Sequence, residues 1–540
     1  NQGSSNITIT GTTTFTSSGW HHAALVRSGG TLKLFVDGVQ EGGDSAITGS
    51  INDSSNAYSI GRLGELGSDY WNGWIDEFRL SVGVARWTSN FSPPLAPFGT
   101  DAQARCRGGF LARKSDGTVA IIAATATRLY MLDNTTLQWT DVSKGALAYS
   151  TLTTTDQWQF AQAGNLVFAV QANVPPQVFN LSSSTEFADL GGSPPQARYC
   201  TIVGRFLVLS GLLSNPFRVQ WSGLNDFDEW TSGVNSSDFQ DLADGGVVRG
   251  VAGGEYGLIF QDGAIRRMIY APGSDIIFQI ERVTEDKGLF APLSIVRAAN
   301  LVFACLTDGF YVIRPGGAPE PIGKERIDRT FFADVDTTAF QLFIGANDPS
   351  ATRVYWAYKS LAGAAGLFDK VLAYDYALNR WAPLSVSGEY LTSLAAPGIT
   401  LESLDSQFPS IDAMTVSLDD FSTVALTKLA AINSEHRMGF FSGPNLEATL
   451  ETSEQTLDRR MRVQGFRPVT DAATCMGSIG KRETLQETVT FSTEQAVNVR
   501  GLCPANVSTR LARGKIRVPA AATWTFATGI EPQFRSEGRR

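Results

Sequence analysis

Histidine is scarce in this chain: His21, His22 and His436 are the only three in 540 residues. A structural zinc site needs about four Cys or His ligands at short spacing. No histidine here has such a companion. The five cysteines, Cys106, Cys200, Cys305, Cys475 and Cys503, are odd in number, far apart and never in a CxxC pair. They read as reduced core thiols of a protein assembled in a reducing compartment, and no metal or cofactor is expected. No apolar run reaches the roughly 18 residues of a membrane-spanning helix. The start, NQGSSNITIT, has neither an initiator Met nor a basic segment followed by an apolar one. That points to a processed product or a fragment of a longer gene product, without a signal peptide. Phosphate-cradling loops of the GxxxxGK[ST] or GxGxxG kind are missing as well.

Positive charge is also in short supply. The chain holds 44 Lys/Arg against 53 Asp/Glu, a net charge of −9. That balance argues against broad affinity for nucleic acid. The charge is uneven, however. Residues 455–540 carry 14 Lys/Arg against 7 Asp/Glu, so the remainder is strongly acidic. A basic end on an acidic body suggests an acidic partner near the C-terminus; the plainer reading is a solvated β face with scattered Arg.

What the chain does have is β-strand grammar, over a length that suits two to four domains. In TLKLFVDGV, Leu32, Leu34 and Val36 share one face and Lys33, Phe35 and Asp37 the other. RSGG and VDGV read as hairpin turns, where Gly accepts positive φ. The prolines of FSPPLAPFGTDA cannot continue a ladder, so a linker is expected near residues 92–104. Beyond it, GNLVFAVQ (Gly164 to Gln171) recurs as ANLVFACL (Ala299 to Leu306). Asn165 and Asn300 are 135 residues apart, three times 45. Similar runs sit at Leu129, Leu207, Leu258 and Val354, with a mean step of 45 residues. A period near 45 with several strands per unit is the mark of β-propeller blades. The expected fold is therefore all-β: a β-propeller of about six blades over residues 100–450 and a basic C-terminal β segment over 451–540, after an N-terminal β domain over 1–99.

The stretch RVQWSGLNDFDEWTSG (Arg218 to Gly233) places Trp221 and Trp230 on either side of a polar turn. Within a blade these are packing residues between blades, and the Asn-Asp turn satisfies its own backbone. A sugar platform or an acid site is the competing reading.

No enzyme is expected. KSDGTVA (Lys114 to Ala120) is one partial echo of a sialidase Asp-box, without the Trp. Asp76 and Glu77 in WIDEFRL are adjacent, so on a strand they point to opposite faces and cannot work as a carboxylate pair. His21 and His22 open a strand and are read as structural, and His436 as a surface or interface residue. The best basic run is DRRMRVQGFR (Asp458 to Arg467), with Arg459, Arg460, Arg462 and Arg467 as candidates for contact with a partner or DNA. An inter-subunit salt-bridge network is the preferred use.

Two resemblances sharpen these readings. WHHAALVRSGGTLKLFVDG followed by GWIDEFRLSVGVARWTSNFSPP resembles the second half of a laminin-G/concanavalin-like jelly roll, across residues 15–95. Such domains need roughly twice this length to stack two sheets, so residues 1–99 read as a partial jelly roll. The family often binds carbohydrate, which makes Tyr70, Trp71 and Trp74 candidate stacking residues; packing within the core is the preferred reading for them. FRVQWSGLNDFDEWTSG, TRVYWAYKS with LAYDYALNRWAPL, and the final GLCPANVSTRLARGKIRVPAAATWTFATGIEPQFRSEGRR resemble tail proteins of short-tailed bacteriophages: the nozzle, tail-tube B or packaged-DNA stabilisation group. That resemblance implies a homohexameric ring in the virion, assembled in the host cytoplasm. DNA would pass through its lumen without sequence specificity, and the adaptor or portal ring and tail fibres would be its neighbours. An acidic body would not grip a sliding polyanion, and the basic end could dock on an acidic neighbouring ring. The alternative is a carbohydrate-binding receptor-recognition tail protein, trimeric or monomeric.

Overall fold

In the computed structural model the described residues are 9–14, 20–47, 75, 78–80, 85, 87–91, 93, 104–134, 138–274, 276–395, 427–441 and 444–536. They divide into two compact units, Asn1–Phe440 and Phe441–Arg540. The division falls ten residues before the expected boundary at 450. The reason is the strand Ala448–Glu451, which pairs with Cys503–Val518 and so belongs to the C-terminal sheet.

The N-terminal β domain shows three antiparallel strands, Ala23–Ser28, Thr31–Val36 and Val39–Ala46. Its VDGV turn has φ of 50° at Asp37 and 80° at Gly38, the geometry a two-residue hairpin loop needs. Glycine is required at 38 for a second reason: a Cβ there would lie 1.9 Å from the Phe91 carbonyl oxygen. Phe35, expected beside Lys33 on the polar face, is fully buried. Both faces of this strand therefore meet apolar groups. The expected linker at 92–104 lies almost wholly outside the described residues.

Between Gly108 and Phe440 the described residues form seven successive antiparallel meanders. Six have four strands, and the seventh has three: Tyr390–Ala395, Thr427–Ile432 and Met438–Phe440. The first strands of most neighbouring sheets pack against one another, which is propeller architecture. Among the described residues the blades thus number seven, against the expected about six. The repeated apolar runs are mostly second strands, for example Leu166–Val170, Phe206–Leu212, Gly257–Gln261 and Leu301–Leu306. In the seventh blade, 31 residues (396–426) separate first and second strands, so the spacing from Arg353 to Thr427 is 74 residues and breaks the period.

Each blade-to-blade interface has its own apolar cluster. Trp158, Val167 and Ile122 join blades one and two; Phe168, Leu209 and Trp230 join two and three. Trp221, Ile259 and Phe278 join three and four; Phe303, Trp356 and Tyr374 join five and six. Ile121 and Leu132 meet Leu394 and Ala430 where the seventh blade closes on the first. No strand is exchanged at this closure among the described residues. Side chains do the work: Cys106 N–H donates to Glu389 Oε2 at 3.1 Å, and Arg113 Nη2 to Thr427 Oγ1 at 2.6 Å. Several indoles add a polar tie from one blade to the next, as in Trp158 Nε1 to Thr125 O (3.0 Å) and Trp356 Nε1 to Ser294 O (2.8 Å).

The C-terminal unit is one seven-stranded sheet. Its longest strands are Gln455–Thr470 and Cys503–Val518, each 16 residues. Along the second, burial alternates from Ala512 to Val518: Ala512, Gly514, Ile516 and Val518 face inward while Arg513, Lys515 and Arg517 face out. The inward set joins Val463, Phe466, Ile479 and Cys503 in a single core.

Candidate functional site

A propeller's axis is the default place for a ligand. Here it is nearly closed. The axial cavity measures about 150 Å³ and is lined by Gln159, Tyr199, Gly250, Leu293, Gly345 and Tyr390. Glycines let the inner strands approach: a Cβ on Gly345 would sit 2.2 Å from Val296 Cγ2, and one on Gly250 would sit 2.6 Å from Ile295 Cδ1. Gln157 Nε2 donates to the Gln341 carbonyl at 2.8 Å, tying blade two to the turn that enters blade six. Arg107 Nε holds the same glutamine through Oε1 at 3.0 Å. Burial pushes the Tyr199 phenol up to about 12 and Tyr390 upward too, so both stay neutral at ordinary pH. A duplex on the order of 20 Å across cannot thread this axis.

A second cluster sits at ring closure. His436 Nδ1 lies 2.9 Å from Glu389 Oε2, the same oxygen that accepts the Cys106 amide. Cys, His and Glu in one place suggest a nucleophilic triad. The chemistry is missing. The Cys106 thiol donates to the Gly108 carbonyl at 3.2 Å, and burial pushes it up to about 12. A thiol that stays protonated is a poor nucleophile. The adjoining cavity is about 10 Å³, too small for a substrate. His436 thus anchors the Asn433–Arg437 turn to the first blade. The sequence marked it as structural but gave no sign of Glu389.

Trp221 and Trp230 are 3% and 6% exposed, too buried for a sugar to stack on them. Trp221 meets Phe278 of blade four edge-on at 5.0 Å, and Trp230 packs toward blade two. Both indole N–H groups are satisfied by loop carbonyls, Ser236 O at 2.9 Å and Phe227 O at 2.8 Å. They are inter-blade packing residues. The loop they anchor carries Asp226, Asp228, Glu229 and Asp238, none of them in an ion pair among the described residues.

His21 and His22 are structural too. His21 Nδ1 and the His22 amide reach the two oxygens of Asp37, each at 2.8 Å. The His22 ring meets Trp87 and Phe91 edge-on, and those two stack at 4.2 Å. The stacking candidates Tyr70, Trp71 and Trp74 lie outside the described residues, as do Asp76 and Glu77.

The basic candidates of the C-terminal unit are all exposed on one strand. Three have partners within their own chain: Arg460 with Glu483 (3.2 Å), Arg462 with Asn506 (2.5 Å) and Arg467 with Glu531 (3.7 Å). Arg459 has none among the described residues. The preferred inter-subunit network is therefore at least partly an intrachain one. Sequence reasoning missed Arg510 and Arg535, which the sheet brings beside Arg460 and Arg462. Other arginines of the unit are paired with carboxylates. Arg482 pairs with Glu454 at 2.6 Å, and Arg517 with Glu494 at 2.7 Å and Glu447 at 3.0 Å.

Among the described residues no group of three or more His, Cys, Asp or Glu is placed to hold a metal ion. No helix there is long and apolar enough to cross a membrane. All five cysteines are buried and unpaired.

Comparison with known proteins gives loose likenesses and one partial family match. Solved structures similar to this chain include the RRP9 WD40 repeats, at 12% identity and TM-score 0.33 over 55% of this chain and 88% of that one. BamB from Moraxella catarrhalis is similar at 12% identity and TM-score 0.31, over 62% and 83%. The extracellular domain of the putative one component system BT4673 from B. thetaiotaomicron is similar at 9% identity and TM-score 0.37, over 68% and 42%. Likenesses this loose carry no argument. No curated protein matches the chain. One family is found in part of it: residues 1–85 match the concanavalin A-like lectin/glucanases superfamily, in its Laminin_G_3 form.

Proposed function

We propose that this chain is a structural protein of a phage tail, one subunit of a ring through which DNA leaves and which helps retain the packaged genome. The observation that carries the reading is the set of tail-like phrases now placed on the fold. FRVQWSGLNDFDEWTSG lies in blade three, TRVYWAYKS and LAYDYALNRWAPL in blade six, and the final phrase in the C-terminal sheet. The narrow axis sharpens the proposal: the lumen would lie between subunits rather than through a propeller. An acidic body suits such a wall, since phosphate contacts would slow a sliding duplex.

The test is light scattering with electron micrographs of the same sample. A ring of six with a hole of about 20 Å or more supports the proposal. The match of residues 1–85 to a lectin superfamily favours a second reading, a carbohydrate-binding receptor-recognition protein of the tail. A trimer or monomer retained on host glycan would decide for it.

A further inference from the structure

The C-terminal sheet has one face that its own chain leaves strongly positive. Arg462 stands directly opposite Arg535 on one neighbouring strand and Ser508 on the other. Met461 is paired with Thr509, whose side is buried, so Arg460 and Arg510 project to the same outer face as Arg462. Arg467 follows further along, against Glu531. Among the described residues five arginines thus share this face with two carboxylates, Glu483 and Glu531. Arg510 and Arg535 are exposed, with no ion pair or hydrogen bond from their guanidinium groups among the described residues. Like charges directly opposite on adjacent strands destabilise a sheet. Arg513, Lys515 and Arg517, a row of outward cations on the same sheet, are matched by Glu447, Glu451, Glu454 and Glu494, while Lys481 and Arg500 stand singly and exposed with no ion pair among the described residues. The arginine face thus differs from the matched row Arg513 to Arg517 in gathering several cations with few carboxylates.

The complementary surface occurs in the same chain. In blade three the loop from Ser222 to Asp238 offers Asp226, Asp228, Glu229 and Asp238 without a cation among the described residues. The loop is held from within: Glu229 Oε1 accepts the Thr231 amide at 2.7 Å, and Asp238 Oδ1 accepts Ser232 Oγ at 2.7 Å. Trp221 and Trp230 root it in the core. Both surfaces are thus ordered before they meet, which lowers the entropy cost of association. Arginine suits carboxylates because its planar fork can make two parallel hydrogen bonds.

We infer that the arginine face of the C-terminal sheet docks on the acidic blade-three loop of a second copy of this chain. Two different surfaces meeting in this way make a head-to-tail contact, which closes a ring when its rotation allows. The inference deepens the ring reading and rests on it for closure. The overall balance agrees, with 14 Lys/Arg against 10 Asp/Glu in residues 441–540 and 30 against 43 in the rest. A nucleic-acid partner is disfavoured by that acidic body and by Glu483 and Glu531 within the face.

Sedimentation velocity of the full chain tests the contact. Wild type is expected to associate at about 50 mM salt and to dissociate at about 500 mM, where screening is short-ranged. R462E/R535E and D226K/D228K should each weaken association at least about tenfold. An equimolar mixture of the two should associate again, because each then offers the surface the other needs. R462Q/R535Q should fall between wild type and the reversal. Recovery in the mixture excludes misfolding as the cause of the loss. The inference is overturned if wild type stays monomeric at low salt, if either reversal associates like wild type, or if the mixture does not recover. The two ideas fail differently. A salt-sensitive complex of some number other than six keeps the contact and ends the six-fold ring. A six-fold ring that survives both reversals does the opposite.

Discussion

The propeller and the C-terminal sheet are both antiparallel β, yet they solve different problems. In the propeller the first strands crowd an axis, and stability comes from apolar seams between blades, several of them rich in aromatics. In the C-terminal unit two 16-residue strands span a single sheet, with one apolar core inside and rows of charge outside. The propeller therefore tolerates little change in side-chain volume at its seams and axis. The C-terminal sheet is sensitive to the placement of charge. That contrast makes the second region the better candidate for recognition and the first the better candidate for scaffold.

The largest expected effect lies in a seam. Trp356 is fully buried, meets Phe310 at 4.8 Å and Trp381 at 5.6 Å, and donates to Ser294 O. Trp356→Ala removes that packing and leaves a buried carbonyl unpaired. It should cost about 3–5 kcal/mol in denaturant unfolding. A cost below about 1 kcal/mol would mean the seam rearranges, and the contrast with the C-terminal unit would weaken.

A pair of glycine substitutions sharpens the comparison at smaller scale. Gly345→Ala places a methyl 2.2 Å from Val296 Cγ2 at the axis and should destabilise by about 1–3 kcal/mol. Gly529 lies in the C-terminal strand Ala527–Ser536, and a methyl added there would meet nothing within 4 Å. Gly529→Ala should be neutral or stabilising, by up to about 1 kcal/mol, because it stiffens the unfolded chain. Thermal melts should show a clear loss for the first variant and no loss, or a gain, for the second; equal losses would erase the distinction.

How much of this was legible in the sequence follows from which contacts are local. The second strands of blades are buried on both faces, as in Phe206–Leu212, and so appear as continuous apolar runs with a countable period. The seventh blade stayed hidden because 31 residues interrupt it between its first two strands. Trp221 and Trp230 were legible as packing residues by type alone. Glu389 was not, since its partner Cys106 is 283 residues away and the two meet only when the ring closes. Arg510 and Arg535 were missed for the same kind of reason. Their relation to Arg462 is set by strand register, which no local pattern reports. A hint did exist in the two-residue spacing of Arg460 and Arg462, which already puts both on one face of a strand.

The smallest expected effect is in acid, and each region supplies one carboxylate for it. In the C-terminal unit Asp471 accepts the Thr525 amide (2.9 Å) and the Phe526 amide (3.1 Å), and these bonds with the Thr525 hydroxyl lower it to about 2. In the propeller Asp336 is held at about 2, first by Lys359 and then by Thr338. A carboxyl depressed on folding favours the native state above its unfolded pKa, near 3.9, and that contribution disappears as pH falls through the folded value. The advantage of wild type over D471N should therefore be constant from about pH 7 to 5 and shrink between about pH 4 and 2. The same should hold for D336N. Melting curves of each pair across that window read the difference directly, with every other titrating carboxylate common to both members. Salt separates the two. About 0.5 M NaCl should reduce the D336N difference, because the hydrogen bond that leads it comes from a charged lysine whose Coulombic pull adds a smaller share, and leave the D471N difference nearly intact, because hydrogen bonds from hydroxyl and amide groups are its causes. Equal salt sensitivity at the two sites would mean that Asp471 is also held by charge.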